Sequence, residues 1–208
     1  MRTYKDEKLN TLLLLFCVAV SFIMIFICDG FAAADTVREE CLRLHVLANT
    51  DSEEDQSVKL KVRDAILEET GDLFLSCTTA SDAVSKTSEY KEEIEAVAEK
   101  VLYENGFSYG AHVFIEEEYF GTRQYDNVSL PAGNYTALKV VLGEGDGHNW
   151  WCVMFPPLCL PAVSESRDDS VYGVFGENGG NLVTGKSGYK VKFRIVEIAE
   201  TIIEALKS

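Results

Sequence analysis

The sequence predicts a single α+β domain, an antiparallel sheet with packed helices, set behind an apolar N-terminal segment. Three observations predict it. Residues 12–28 form one long apolar run. Beyond it, apolar residues recur at three- and four-residue spacing in three segments, the mark of helices with one buried face. In four others they alternate with period two, the mark of strands. The resulting order, β-α-α-β-β-β-α with consecutive antiparallel strands, is that of an α+β fold.

The chain has 208 residues, of which 47% are apolar, enough for one domain with a packed core that needs no metal. Its net charge of −15 argues against a nucleic-acid partner and against electrostatic docking onto anionic lipid. At the N-terminus, Arg2, Lys5 and Lys8 precede the apolar run, and Ala32, Ala33 and Ala34 offer a small-x-small cleavage pattern before Asp35. Residues 1–34 therefore read as a signal peptide or a membrane anchor, since the run is long for the first and short for the second. Residues 35–208 are the working domain, placed outside the cytoplasm.

Within 37–48, Leu42, Leu44 and Val46 face one way and Arg43, His45 and Leu47 the other, which predicts a strand. Residues 49–52 are turn formers that also cap helices. Glu53 and Glu54 suit a first helical turn, and Val58, Val62, Ala65 and Ile66 define a helix over 53–69 that Gly71 stops. A second helix covers 81–105, with Val84, Ile94, Val97, Ala98, Val101 and Leu102 as its stripe. The period then changes to two, predicting strands to about Phe120, over 135–142, and over 149–155. A glycine-rich loop at 143–147 joins the last two, and Pro156-Pro157 ends the sheet. Residues 162–188, polar and rich in glycine, read as a mobile loop. Val191, Ile195, Ile198, Ile202 and Leu206 define a C-terminal helix.

Several motifs invite chemistry and fail on context. GNLVTGKS at 180–187 matches the phosphate-loop pattern, but too little chain follows it to supply a strand carrying a magnesium-binding acid, so no nucleotide is expected. The acidic clusters at 51–55 and 116–118 lack the spacing of a calcium loop. His45, His112 and His148 form no metal-ligand pattern, and Cys152 and Cys159 are not at zinc-knuckle spacing. There is no G-x-S-x-G elbow. A Cys–His nucleophile built on Cys152 or Cys159 stays open, because such partners meet only in the fold. No catalytic, metal or cofactor site is expected.

In an exported chain Cys152 and Cys159 are the natural disulfide, closing a small loop around Pro156-Pro157 that contributes about 2–3 kcal/mol in the chain-entropy model. Cys41 and Cys77 have no assigned partner. Trp150 and Trp151 are adjacent on a strand and so point to opposite faces; at most one belongs to the main core.

LRLHVLANTDSEEDQ at 42–56, continuing through Lys59, Lys61, Val62, Arg63 and Asp64, resembles the opening signature of the stage II sporulation protein R family. So do LPAGNY at 130–135, GEG at 143–145 and NWWCVMFPPLC at 149–159, while KFRIVE at 192–197 is similar to the family's closing helix. The resemblance covers about residues 40–160 and 189–204. It implies a non-enzymatic protein made in the forespore and secreted into the space between forespore and mother cell. There it would activate, by binding, a membrane-embedded aspartic protease that cuts pro-sigma-E. The partner-binding candidates are Asn49, Asp51, Asp55, Gln56, Lys59 and Arg63 around the first turn, with Trp150 and Trp151. A structural reading stands beside it, in which Arg43 and Arg63 pair with acids such as Asp64 and only brace the fold. The rival functions are a secreted hydrolase of the Cys/His type and an extracytoplasmic adhesion or scaffold module.

Overall fold

The computed structural model describes residues 2–125, 127–158, 167–186 and 188–207. The strand at its centre is β1 (Leu42–Leu47), whose first five residues are all buried. The sheet order is β2-β5-β1-β6, with β2 spanning Ala111–Phe120, β5 Gly133–Leu142 and β6 Asn149–Phe155. β1 runs antiparallel to β6, pairing Leu44 with Cys152, but parallel to β5, pairing Leu44 with Leu138. The sheet is therefore mixed, which corrects the expected antiparallel one. Side-chain alternation is the same in either strand direction, so it carries no information on that choice. The long stretch of chain between β1 and β5 supplies the crossover that a parallel pair requires.

One face of the sheet carries α2 (Glu53–Leu75), α3 (Ala80–Glu89) and α4 (Lys91–Glu104). Their core joins Val58, Val62, Ile66, Ala98 and Leu102 to Leu44, Val46, Leu138 and Val140. Ser52 caps α2 by accepting from the Asp55 amide. The helix runs past Gly71, the expected stop, because Phe74 lies beyond it and is 2% exposed. Burying that ring is worth about 2–3 kcal/mol, against about 1 kcal/mol for a mid-helix glycine. The helix expected over 81–105 is two helices that meet at Tyr90, whose φ of −95° and ψ of 12° leave the helical range. The first is capped by Thr79, and no proline or glycine announces the break.

The other face is covered by the end of α1 (Arg2–Glu39), by a hairpin of β3 (Arg123–Tyr125) and β4 (Val128–Leu130), and by α5 (Arg167–Val183). α5, two short helical stretches that meet at a kink at Gly176 (φ 66°, ψ −174°), corrects the mobile loop expected over 162–188; of that range, 162–166 and 187 lie outside the described residues. Val171, Phe175, Leu182 and Val183 are buried. The glycines that suggested a loop permit close packing: a Cβ on Gly180 would fall 2.4 Å from the Tyr172 ring. The phosphate-loop lookalike accordingly begins inside a helix and not on a loop leaving a strand.

α1 continues unbroken through residue 34. It is long and apolar enough over Glu7–Glu39 to cross a membrane, and the rest of the molecule leaves the apolar window uncovered. Its last turns join the fold beside α6 (Tyr189–Lys207). Ala33 and Ala34 pack on Leu182 and Val196, Asp29 pairs with Lys192, and Arg38 reaches Glu200 at 2.8 Å and the Ala132 carbonyl at 2.6 Å. A chain beginning at residue 35 should therefore be less stable than one beginning at residue 28, by about 2–3 kcal/mol for the apolar surface uncovered on Leu182 and Val196. Urea unfolding of the two polypeptides measures the difference.

Candidate functional site

The first motif and the glycine loop before β6 form one knot at the end of the sheet. Leaving β1, the chain turns at 48–52 into α2, and residues 143–148 fold over that turn. The Asn49 carbonyl accepts from the Asp146 amide at 3.1 Å, and the Ala48 carbonyl from Gly147 at 2.9 Å. Gly147 sits so close that a Cβ there would lie 2.2 Å from the Thr50 carbonyl oxygen. Asn49 Oδ1 accepts from the Glu144 amide at 3.0 Å while its Nδ2 donates to Asp55 at 3.2 Å.

Asp55 is the hub. Only 5% exposed, it also accepts from Thr50 Oγ1 at 2.5 Å and from the Tyr109 hydroxyl at 2.5 Å. Burial alone would raise its pKa, but the hydrogen bonds from Thr50, Tyr109, Asn49 and Ser52 outweigh burial and hold it below the usual carboxylate range. Burial and the same contact push the Tyr109 hydroxyl up. Lys59, one turn on and 4% exposed, donates to Gln56 Oε1 at 2.5 Å and to the His148 carbonyl at 2.8 Å. Its pKa is lowered by burial. Gln56 donates to the Thr50 carbonyl at 2.9 Å.

The eight partner candidates thus divide. Asn49, Asp55, Lys59 and, in part, Gln56 are occupied in the knot. Asp51 is exposed, takes the His148 amide at 2.7 Å and pairs with the His148 ring, which lowers its pKa. Trp150 is 37% exposed, with the Arg63 guanidinium 4.4 Å from its ring centre. Arg63 also pairs with Asp64 at 2.6 Å. Trp151 turns to the opposite face, stacks on His45 with ring centres 5.7 Å apart, and is covered by Arg123 at 4.2 Å. Neither tryptophan belongs to the fully buried core.

Two clusters on β1 were not foreseen. His45, 4% exposed, has Nδ1 2.7 Å from Glu118 and Nε2 2.8 Å from Asn149. Arg43, fully buried, pairs with no acid among the described residues, unlike the bracing reading; it lies 4.1 Å from the Phe120 ring centre and 4.9 Å from that of Tyr135, and donates to the Tyr125 hydroxyl at 2.5 Å. The alternation along β1 was the available signal, because a central strand buries both of its faces.

This geometry bears on catalysis. Cys152 lies opposite Leu44 and His45 opposite Trp151, so Cys152 and His45 project to opposite faces and cannot form a nucleophile–base pair. Cys41 and Cys77 are free thiols, and burial pushes that of Cys41 up to about 12. Cys159 lies outside the described residues. Among the described residues no three His, Cys, Asp or Glu side chains gather as a metal site.

Together these features define an α+β domain carried on an apolar N-terminal helix, the build of a secreted or membrane-associated protein. The chain belongs to the stage II sporulation protein R family, whose model matches residues 38–165. It is 36% identical over 138 residues to the stage II sporulation protein R of Bacillus subtilis (strain 168), a match covering 64% of this chain and 62% of that relative. The chain thus spans less than two thirds of the relative's length. No solved structure matches it.

Proposed function

We propose that this sporulation protein is an exported signal that activates, by binding, a membrane-embedded aspartic protease that processes pro-sigma-E. The family supplies the sporulation role, and the protease and its substrate come from the resemblance of the motifs. The observation that carries a binding role is the Trp150–Arg63 pair beside Asp51 and His148. There an exposed aromatic side chain, backed by a largely covered cation, stands outward on a frame fixed by the buried bonds of Asp55 and Lys59, as an anchor residue at an interface requires. Binding activates only when the ligand prefers the protease's active state. The N-terminal helix delivers the domain across the membrane, either released after cleavage or still tethered.

Co-expression of the chain with the protease and its precursor tests this reading, scored by release of mature sigma-E. Absence of processing by the intact chain would sink it, and cleavage of a substrate by the purified chain alone would favour the hydrolase. Trp150→Ala should cut processing at least tenfold while shifting stability by less than about 1 kcal/mol. Trp151→Ala should instead destabilise by about 2–3 kcal/mol, through loss of the stacking on His45 and Arg123. Chemical unfolding measured alongside processing separates the two outcomes.

We also propose the Cys152–Cys159 disulfide, supported by the free state of Cys41 and Cys77. Peptide mass mapping without reduction should find residues 152 and 159 linked and Cys41 alkylated only after unfolding.

A further inference from the structure

The net charge of −15 averages over an uneven surface. Four of the chain's 19 cations, Lys186, Lys190, Lys192 and Arg194, fall within nine residues, and no Asp or Glu occurs from 178 to 196. Their position is set by α1. Between Lys8 and Asp29 lie 20 residues without a charge. As a helix they span about 30 Å, the thickness of the hydrocarbon layer, which puts Asp29 at the outer interface. Lys192 pairs with Asp29 and stacks on Phe26 at 5.0 Å. Higher up, Val196 meets Ala33 and Ala34, and Glu200 meets Arg38, so α6 rises parallel to α1, away from the bilayer. The first turn of α6 is consequently its membrane-proximal end, with Lys190 about 3 Å nearer the bilayer than Lys192.

The side chains suit an interface. Lys190 and Lys186 are exposed, Val191 is 58% exposed, and Tyr189 and Tyr172 lie under Lys192 and Lys186 at 4.1 and 4.7 Å. Aromatic rings with lysines over them are what the headgroup layer favours. Lys190 and Arg194 also line a groove of about 360 Å³ between α6 and the β3–β4 hairpin, with Ser129, Thr184 and Phe193 on its walls. Glu197 lines it too and is held by Arg194.

We propose that the start of α6, with Lys186, Lys190 and Arg194, is a second membrane contact that binds the headgroups of anionic phospholipids in the bilayer crossed by α1. The inference rests on α1 lying in that bilayer. Near the surface each such cation acts within a Debye length of the lipid charge, so a local cluster outweighs a distant acidic surface. The contact fixes how the domain stands on the membrane and so which face it offers outward.

Native mass spectrometry of the full chain in neutral detergent, offered equal phosphatidylglycerol and phosphatidylcholine, tests the contact without requiring a bilayer. The expected result is about tenfold more retained phosphatidylglycerol, falling to less than about twofold in Lys186→Gln/Lys190→Gln/Arg194→Gln and unchanged in Lys100→Gln. Equal retention of the two lipids, an undiminished preference in the triple variant, or complete displacement of phosphatidylglycerol by inorganic phosphate would overturn it. Lys190→Gln alone, at an exposed position, serves if the triple variant does not fold, with a fall of about threefold expected and an unchanged ratio counting against the proposal. Insertion of the same chain into lipid nanodiscs reads the membrane position of α1 separately, so failure of the anchor and failure of the headgroup contact are distinguishable.

Discussion

Asp55→Ala should destabilise the domain by about 3–4 kcal/mol, the largest loss expected from any polar side chain of the first motif. A buried carboxylate that accepts from Thr50, Tyr109 and Asn49 contributes about 1.5–3 kcal/mol per strong bond, and its removal strands the Tyr109 hydroxyl in the interior. Asp55→Asn should lose less, because the amide keeps one acceptor. The same residue gives the stability a pH dependence of definite sign. Its folded pKa is depressed, so its contribution is full above the unfolded value of about 3.9 and is lost as pH falls through the folded pKa. Urea midpoints between pH 7 and pH 3 should fall faster for the native chain than for Asp55→Ala. Equal slopes would show that folding does not lower the Asp55 pKa, and a steeper fall in Asp55→Ala would show that folding raises it.

That hub was partly legible. Asp55, Val58, Lys59, Val62 and Ile66 stand at intervals of three, one, three and four residues, which is one stripe of a helix, and all five are buried. From sequence, only Val58, Val62, Ala65 and Ile66 read as the buried stripe, and Asp55 and Lys59 fall among the partner-binding candidates, because charge usually means solvent; their helical spacing within that stripe is the signal left unused. Their partners were not legible. Tyr109 and the 143–148 loop come from distant parts of the chain, brought in by sheet pairing that periodicity does not encode. The same limit hid the parallel pairing of β1 with β5. α5 was missed for a different reason. Glycine lowers helix propensity everywhere, but here Gly179 and Gly180 lie where a Cβ would strike Phe175 and Tyr172, and tertiary packing overrides propensity. The strands themselves, and the division of Trp150 from Trp151, followed directly from alternation.

Arg43 poses the sharpest question of which effect wins, because its neighbours both reward and penalise it. The guanidinium stacks on Phe120 and Tyr135 and donates to Tyr125, contacts worth about 1–2 kcal/mol each when desolvated. Against them stand Nε and Nη1, buried with no hydrogen-bond partner among the described residues. Among the described residues no acid pairs with this guanidinium, and burial of a full charge in that setting adds several kcal/mol more. The penalty is the larger sum, so Arg43→Met, which keeps the volume and the ring contacts, should stabilise the domain by about 1–3 kcal/mol. Arg43→Ala should lose about 3 kcal/mol, because it leaves a cavity under three rings. Both variants are read by thermal and urea unfolding. A methionine chain weaker than the native one would mean that the aromatic cage outweighs desolvation. A stabilised methionine chain that still triggered sigma-E processing would show that the buried charge serves neither stability nor signalling. A stabilised chain that no longer signalled would mean that stability has been given up at β1 for the sake of binding.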